Sequence, residues 1–315
     1  LRFTYGVSAK GSDLCYAIFM IDQASMRYGM KRKVLRVERF LREMDRVIPW
    51  DALLEVIRPH YKTGDGGRPP HDLALMLRIH FLQLWHNLSD PAMEEALYDR
   101  FSFQQFLGFD CFGGVIPDET AILRFRHLLE KHGLSQQILG AVNTHLAERG
   151  LVLKEGTIMD ATLIEAPRST KNAERTRDPE MSSTRKNQQY YFGAKGHIGV
   201  QANGKPLIHS VAFTTAKRHD KTQMQTLLHG DEEAIFGDAA YADQAEKRGS
   251  RALGLYYGIA DKGARAHPLS ATQKKKNGKH SRVRCKVEHP FKVIKEQWNH
   301  RKLRYKGLKK NESLF

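Results

Sequence analysis

The hydrophobic period of the chain changes near residue 150, and this change limits the possible folds more than any other feature of the sequence. Before it, apolar residues recur at the spacing of amphipathic helices, as in residues 34–48. After it, residues 157–165 alternate as a strand, and Asn203-Gly204 is a strong signal for a β-hairpin. A helical region followed by an α/β region is therefore predicted.

The region after residue 150 is predicted to hold five strands and three helices in the order β-β-β-α-β-α-β-α, which indicates a mixed sheet with helices on its faces. The predicted strands are 157–165, 190–202, 206–215, 234–238 and 253–260. The predicted helices are 219–229, 241–248 and 286–301. The polar segments 166–189 and 262–281 are predicted to be loops. His219-Asp220 is interpreted as a helix N-cap rather than a catalytic pair.

Positive charge is concentrated in the last part of the sequence. Residues 262–310 hold 17 Lys and Arg against two acidic residues, whereas the rest of the chain is close to neutral. A neutral body with one basic stretch indicates a polyanionic partner. A solvated tail is the alternative, although apolar residues such as Phe291 and Trp298 are interleaved through the stretch.

Several other function classes lack their signals. No run approaches the roughly 18 apolar residues of a membrane span. The three cysteines lie far apart, which argues against a disulfide framework or a thiolate zinc site and favours a reducing cytoplasm. There is neither a phosphate-binding Gly-x-x-x-x-Gly-Lys-Ser/Thr loop nor a Gly-x-Ser-x-Gly motif for acyl transfer.

Three carboxylates occupy positions suited to chemistry. Asp160 lies inside a predicted strand that is otherwise fit for burial, where a desolvated carboxylate is costly unless it is paired or bound to metal. Asp238 ends another predicted strand, at the edge where chemistry gathers in open α/β sheets. Glu288 lies on the predicted basic helix. The same face of that helix carries Arg284, Lys292 and Lys295.

Each of the three carboxylates also has a simpler interpretation. Asp160 fits a polar residue of an edge strand, Asp238 fits a helix N-cap, and Glu288 fits an ion-pair partner on a basic helix. If they converge, a cation is required, because two carboxylates about 5 Å apart repel by roughly 3 kcal/mol at an effective dielectric of 20. Mg²⁺ prefers oxygen ligands and suits such a cluster. Spacing alone leaves open whether they converge.

Short motifs spread over most of the chain resemble those of one enzyme family. The first half contains Gly67-Arg-Pro-Pro70, Met76-Leu-Arg-Ile-His80 and Trp85-His-Asn-Leu-Ser-Asp90. The second half contains Asp160-Ala-Thr-Leu-Ile-Glu-Ala-Pro167, Phe192-Gly-Ala-Lys-Gly-His-Ile-Gly199, Gly237-Asp-Ala-Ala-Tyr241 and Val287-Glu-His-Pro-Phe291. From about residue 34 to 310 the chain resembles DDE transposases of bacterial insertion sequences. It is most similar to the insertion-sequence-five family, within the insertion-sequence-four-like superfamily.

The resemblance implies a ribonuclease-H-like domain in which Asp160, Asp238 and Glu288 are catalytic and bind two Mg²⁺ ions, with Mn²⁺ able to substitute. It also implies that Arg284 and Lys295, in the family's Arg/Glu/Lys signature, contact DNA. Further DNA contacts are expected at Lys292, Lys195, His197, Arg36 and Arg39. For Lys195 and His197 a solvated strand face is the alternative.

Three segments are expected along the chain. Residues 1–29 are predicted to be a leader that is disordered or upstream of the true start. Residues 30–150 are predicted to form an all-helical N-terminal domain that binds DNA. Residues 151–315 are predicted to form the ribonuclease-H-like mixed-sheet catalytic domain, with a truncated C-terminal helix.

The leading functional hypothesis is a transposase that cleaves DNA at terminal inverted repeats and transfers the 3′ ends into target DNA. Its partners are then double-stranded DNA and, because two ends must be handled together, a second copy of the chain. It is expected in the bacterial cytoplasm, associated with the nucleoid and not with a membrane. The alternatives are a catalytically inactive DNA-binding protein derived from a transposase, and a ribonuclease-H-like repair nuclease without a joining step.

Overall fold

The computed structural model divides the residues of the chain into two groups, each held together by contacts among its own members. It describes residues 33–62, 69–109, 115–151, 155–171, 173, 175–186, 188–264 and 267–315. The smaller group comprises the described parts of Leu1–Ile48 and Glu94–Ile116, and the larger comprises those of Pro49–Met93 and Pro117–Phe315. These groups do not divide at residue 150, so the predicted boundary between an N-terminal and a catalytic domain at that residue stays a prediction. The predicted leader, residues 1–29, lies outside the described residues.

Within the described ranges, seven α-helices precede the sheet, as the helical period predicts. They are α1 (Arg36–Val47), α2 (Trp50–Ile57), α3 (Leu73–His86), α4 (Asp90–Asp99), α5 (Phe101–Leu107), α6 (Glu119–His132) and α7 (Leu134–Glu148). Side chains cap two of them, since Asp72 accepts from the Leu75 amide at 2.9 Å and Asp118 from the Ala121 amide at 2.7 Å. Gly133, with φ +62°, ends α6.

Helix α1 belongs to the smaller group and is amphipathic. It buries Leu41 and Glu38, and a Glu38 carboxylate oxygen accepts a hydrogen bond from the Leu35 amide at 3.1 Å. Its arginines, Arg36 and Arg39 among them, are exposed. The predicted basic face is therefore present on this helix.

The larger group contains a six-stranded mixed sheet. Its strands are β1 (Thr157–Glu165), β2 (Ser182–Lys186), β3 (Gln189–Gln201), β4 (Ile208–Thr215), β5 (Ala234–Gly237) and β6 (Tyr256–Ile259). Strand β1 lies at the centre, antiparallel to β3 on one side and parallel to β5 on the other. Beyond β5 lies the parallel β6, and β3 pairs with both β2 and β4 along its other edge. The predicted order, a helical region followed by a mixed sheet with helices packed against it, is confirmed.

Five more α-helices follow among and after the strands in the described part of the chain. They are α8 (Met224–Leu227), α9 (Gln244–Ala252), α10 (Ala271–Arg284), α11 (Glu288–Lys292) and α12 (Leu308–Leu314). A 3-10 turn, Cys285–Val287, joins α10 to α11, and a π-helical turn, Val293–Gln297, follows α11.

Three elements differ from the sequence-based expectation. The helix expected over 286–301 is instead a 3-10 turn, a five-residue α-helix and a π-helical turn. Strand β2 lies in a segment predicted to be a loop, because its side chains are all polar and offer no hydrophobic alternation. Helix α10 occupies most of the other predicted loop. A capping box begins it: the Ser270 hydroxyl accepts from the Gln273 amide at 3.2 Å, and the Gln273 side chain accepts from the Ser270 amide at 2.9 Å.

Apolar side chains cover both faces of the sheet. On one face, Val283 and Val287 from α10 and the turn after it pack against Ile158 and Phe236. The other face is a second cluster, built from Met159, Met224, Leu227, Ile235, Tyr241, Tyr257 and Ile259. Within the described residues, no helix is both long and apolar enough to cross a membrane.

Candidate active site

The register of the two central strands places Asp160 and Asp238 side by side. Strands β1 and β5 run parallel, with Ile158 opposite Phe236. Side chains on a strand alternate with a period of two, so the residues two positions further along, Asp160 and Asp238, project from the same face as that pair. Asp160 therefore lies on a central strand, and its interpretation as an edge-strand residue is wrong.

The environment of Asp160 disfavours its charge. The pKa of its carboxyl is raised to about 6, mainly by burial and in part by the negative charge of Asp238. The Ala161 amide, which donates to the carboxylate at 2.8 Å, and the charges of Arg284 and Lys186 act in the opposite direction but do not cancel the rise. The charged form of Asp160 is therefore disfavoured mainly because its carboxyl is removed from water.

Arg284 is in direct contact with Asp160. Its guanidinium lies 3.2 Å from an Asp160 carboxylate oxygen. Packing of Val283 and Val287 against the sheet brings the end of α10 to this position. Lys186, at the end of β2, is also close enough for its charge to act on Asp160. Lys186 was not identified from the sequence, because the strand that carries it has no recognisable pattern.

Glu288 does not join the two aspartates in this structure. It is exposed at the first position of α11, one turn after Arg284. Within the described ranges, no group of three or more His, Cys, Asp or Glu side chains is arranged to hold a metal ion. Glu288 likewise makes no ion pair with any described residue, so its interpretation as an ion-pair partner is wrong.

Asp238 has a second, local role. Its carboxylate accepts a hydrogen bond from the Ala240 amide at 2.9 Å, which stabilises the turn after β5. The cap of α9 is instead Asp243, which accepts from the amides of Ala245 and Glu246. The Asp238 carboxylate therefore stabilises a turn instead of capping a helix, and it also lies beside Asp160.

Tyr241 brings an unpaired hydroxyl close to three carboxylates. Its side chain is fully buried, and its hydroxyl has no hydrogen-bond partner among the described residues. Burial raises the pKa of this phenol, and the charges of Asp220, Asp160 and Asp238 raise it further, so all three lie near it. Asp220 was interpreted from the sequence only as part of an N-cap; His219 is the cap, and the Asp220 carboxylate accepts a hydrogen bond from the Lys195 ammonium.

Replacing Tyr241 by phenylalanine is expected to raise the free energy of unfolding by about 1 kcal/mol, because a buried hydroxyl without a partner costs roughly 1–3 kcal/mol. Tyr257→Phe is the matched control. The Tyr257 hydroxyl accepts from the Asp243 amide at 3.1 Å and donates to the Asp243 carbonyl at 3.2 Å, so its loss should destabilise. Urea denaturation of both variants measures this. A destabilised Tyr241→Phe would show that the hydroxyl has a partner in solution.

Lys195 and His197 both face Asp220 rather than solvent. The Lys195 ammonium donates to the Asp220 carboxylate at 2.8 Å and to the Arg218 carbonyl at 2.9 Å. His197 has no exposed surface, and its Nε2 lies 2.8 Å from the Thr214 hydroxyl. Burial lowers the pKa of His197 to about 4. A DNA contact by His197 does not fit this structure, because neither ring nitrogen reaches the surface, and the solvated-face alternative fails for the same reason.

The other predicted DNA contacts differ in exposure. Lys295 is half-buried in the π-helical turn, and its ammonium donates to the Leu163 carbonyl at 2.8 Å. Burial lowers its pKa, as do the nearby charges of Lys186 and Arg301. Lys292 is exposed, as are Arg36 and Arg39 in the smaller group of contacts. Lys295 and Lys186 thus place positive charge on the approach to Asp160.

The donor set at Asp160 and Asp238 fits a divalent cation. Carboxylate oxygens are the ligands that Mg²⁺ prefers, and a cation would offset the burial and the charge of Asp238 that together raise the pKa of Asp160. In addition, the buried Tyr241 hydroxyl has no hydrogen-bond partner among the described residues, so at least one polar group near the two aspartates lacks a partner within the protein. Asp160 and Asp238 are thus the described residues that could hold such an ion, and Glu288 lies apart from them.

Comparison with known proteins gives two family matches that together cover most of the chain. Residues 30–128 match the family described as Transposase domain (DUF772), and residues 153–315 match the family described as Transposase DDE domain. A solved structure named Crystal structure of the Mos1 Strand Transfer Complex is similar over 93% of this chain and 98% of that chain, at 12% identity and a TM-score of 0.20. The DDE match includes Asp160, Asp238 and Glu288.

Proposed function

Because the chain belongs to the DDE transposase family, we propose that it cuts DNA at the ends of a mobile element and joins those ends to new DNA. Its specific substrates are the terminal inverted repeats of a bacterial insertion sequence of the insertion-sequence-five family, and the 3′ ends are transferred into target DNA. The observation that carries this proposal is the pair of neighbouring, half-buried carboxylates, Asp160 and Asp238, at the centre of the sheet.

The three carboxylates are the ligands of this proposed site. Asp160 and Asp238 supply oxygens from the ends of two neighbouring strands. Glu288 is assigned as the third ligand because it lies one helical turn from Arg284, which already contacts Asp160. Two Mg²⁺ ions, with Mn²⁺ able to substitute, would activate a water or 3′-hydroxyl and stabilise the leaving oxygen at a phosphodiester.

Basic side chains around the carboxylates hold the DNA in this proposal. Arg284, Lys292 and Lys295 contact the phosphates near the cut, and Lys195 stabilises Asp220 beside them. Arg36 and Arg39, on the exposed face of α1, bind the inverted repeats. Two copies of the chain act together on two element ends, in the bacterial cytoplasm at the nucleoid.

A second candidate is a catalytically inactive DNA-binding protein derived from a transposase. The separation of Glu288 from the two aspartates favours it, because two carboxylates alone leave the proposed metal site incomplete. In that case the basic residues would still bind DNA, but no phosphodiester would be cut.

A strand-transfer assay tests the proposal. The full chain is incubated with Mg²⁺, a labelled duplex carrying the inverted repeats that bracket its reading frame, and a target plasmid. We expect cleavage at the repeat end and covalent joining to the plasmid, and neither product with a scrambled repeat or with a chelator. Cleavage without joining would indicate a nuclease, and binding without cleavage would indicate the inactive protein; either result contradicts the proposal.

A further inference from the structure

A basic cleft lies on the larger group of contacts, formed by the end of α6 and the segment that leads into α12. Its volume is about 470 Å³. Residues that line it include Lys131, Lys306, Lys309, Lys310, Glu130 and Glu180. It is called the α6–α12 cleft below.

The acidic side chains of the α6–α12 cleft are already engaged by the fold. A Glu130 carboxylate oxygen accepts from the Arg126 guanidinium at 2.6 Å. A Glu180 carboxylate oxygen accepts from the Leu308 amide at 2.6 Å, at the start of α12. Because these carboxylates are held by internal donors, they offset the neighbouring lysines only in part.

The lysines of the cleft are not engaged in this way. Lys131, Lys309 and Lys310 are exposed, and none of them makes a hydrogen bond or ion pair with another residue that the structure describes. Three free ammonium groups thus face one open cleft.

These lysines are carried on firmly anchored backbone. Asn311, in α12, is buried, and its amide donates to the carbonyls of Tyr305 and Gly307 at 2.6 Å. The Ser313 carbonyl accepts from the Ser135 hydroxyl of α7 at 3.1 Å. The lysine backbones are therefore held before any ligand arrives, which lowers the entropic cost of binding.

From this arrangement we propose that the α6–α12 cleft binds the phosphodiester backbone of double-stranded DNA. The inference rests on the proposed function and adds a contact surface distinct from Asp160, from the helix of Arg284 and from α1. Because the cleft is open and its lysine ammonium groups are unpaired, it suits a polyanion that passes across the surface. Ammonium groups contact phosphates and do not by themselves distinguish one base from another. The cleft thus contributes affinity and orientation rather than sequence preference.

The test compares two triple variants of the full chain by fluorescence anisotropy on a labelled duplex, over a series of salt concentrations. The first replaces Lys131, Lys309 and Lys310 by glutamine. The control replaces Lys205, Lys217 and Arg251 by glutamine. These control residues are exposed and lack side-chain partners among the described residues, and the change in net charge is the same.

The cleft variant is expected to bind DNA more weakly by roughly tenfold per lysine at 0.1 M salt, and its log–log salt slope should fall by about 1 per lysine. The control should keep the wild-type slope to within about 1. Equal losses in the two variants, or a wild-type slope in the cleft variant, would overturn the proposal. Thermal melting checks that both variants are folded.

The outcome for the cleft is separable from the outcome for the proposed function. If the cleft variant binds as the wild type does while the wild type still cleaves and joins DNA, only the cleft proposal fails. If the salt slope of DNA binding falls in the cleft variant but the wild type does not cut DNA, the cleft proposal stands and the proposed function fails. If the wild type does not bind DNA, both fail.

Discussion

Asp160→Asn is expected to lower DNA cleavage at least about a thousandfold, equivalent to about 4 kcal/mol in the barrier, while DNA binding is retained. Asparagine keeps the shape of the side chain but removes the charge that would hold a divalent cation beside Asp238. The fold should not suffer, because a neutral amide avoids the desolvation that raises the pKa of this buried carboxyl.

Thermal melting gives a second readout that does not depend on cleavage. A ligand that binds only the folded chain stabilises it, by about 2.7 kcal/mol at one hundred times its dissociation constant. Mg²⁺ should therefore raise the melting temperature of the wild type and have little effect on Asp160→Asn or Asp238→Asn. Glu288→Gln tests whether the exposed glutamate takes part. Asp51→Asn, at an exposed position of α2, is the matched control. Wild-type cleavage by the Asp160 variant would remove that residue from the site.

Arg126→Leu is expected to destabilise the larger group of contacts by about 3–5 kcal/mol, because it leaves two buried carboxylates without their counter-ion. The guanidinium lies 2.6 Å from Glu130 and 2.9 Å from Asp90, and its side chain is only 7% exposed. It also stacks over the Tyr305 ring at 4.0 Å, which ties α6 to the C-terminal segment. Burial acts to raise the pKa of Asp90, but hydrogen bonds from Arg126 and Gln83 lower it below its usual value.

Urea denaturation at neutral pH measures this loss. Arg124→Leu, at an exposed position on the same helix, should change the free energy of unfolding by no more than about 0.5 kcal/mol. Adding Asp90→Asn and Glu130→Gln to Arg126→Leu should recover part of the stability, since the stranded charges are then removed. If Arg126→Leu is as stable as Arg124→Leu, the network does not contribute in solution.

Local signals in the sequence predicted most elements of the fold. The helical period located α1, and period-two alternation located β1 and the hairpin of β3 with β4, because these patterns reflect burial of one face. Strand β2 could not be found this way, since pairing with β3 rather than apolar burial stabilises it. Helix α10 could have been found from its capping box at Ser270 and Gln273, which the many lysines of the segment obscured.

The candidate site was predicted only in part. An aspartate within a strand made for burial was the signal that identified Asp160. Asp238 was identified because it directly follows the strand β5. Lys186 was missed, because the polar strand that carries it shows no pattern and its charge reaches Asp160 from a distant part of the chain. For His197 the expected DNA contact fails, since β3 carries that side chain into the interior.

The sequence by itself determined the change from helices to a mixed sheet, and it marked Asp160 as a carboxylate in a strand made for burial. Periodicity and capping act over a few residues, so one stretch of chain contains all the information they need. Only the tertiary structure decided that β1 and β5 are neighbours in a register that pairs Asp160 with Asp238. It also decided that Arg284, 124 residues away, contacts that pair, while Glu288 one turn later stays in solvent. Those outcomes depend on how Val283 and Val287 pack against the sheet, which no local pattern specifies.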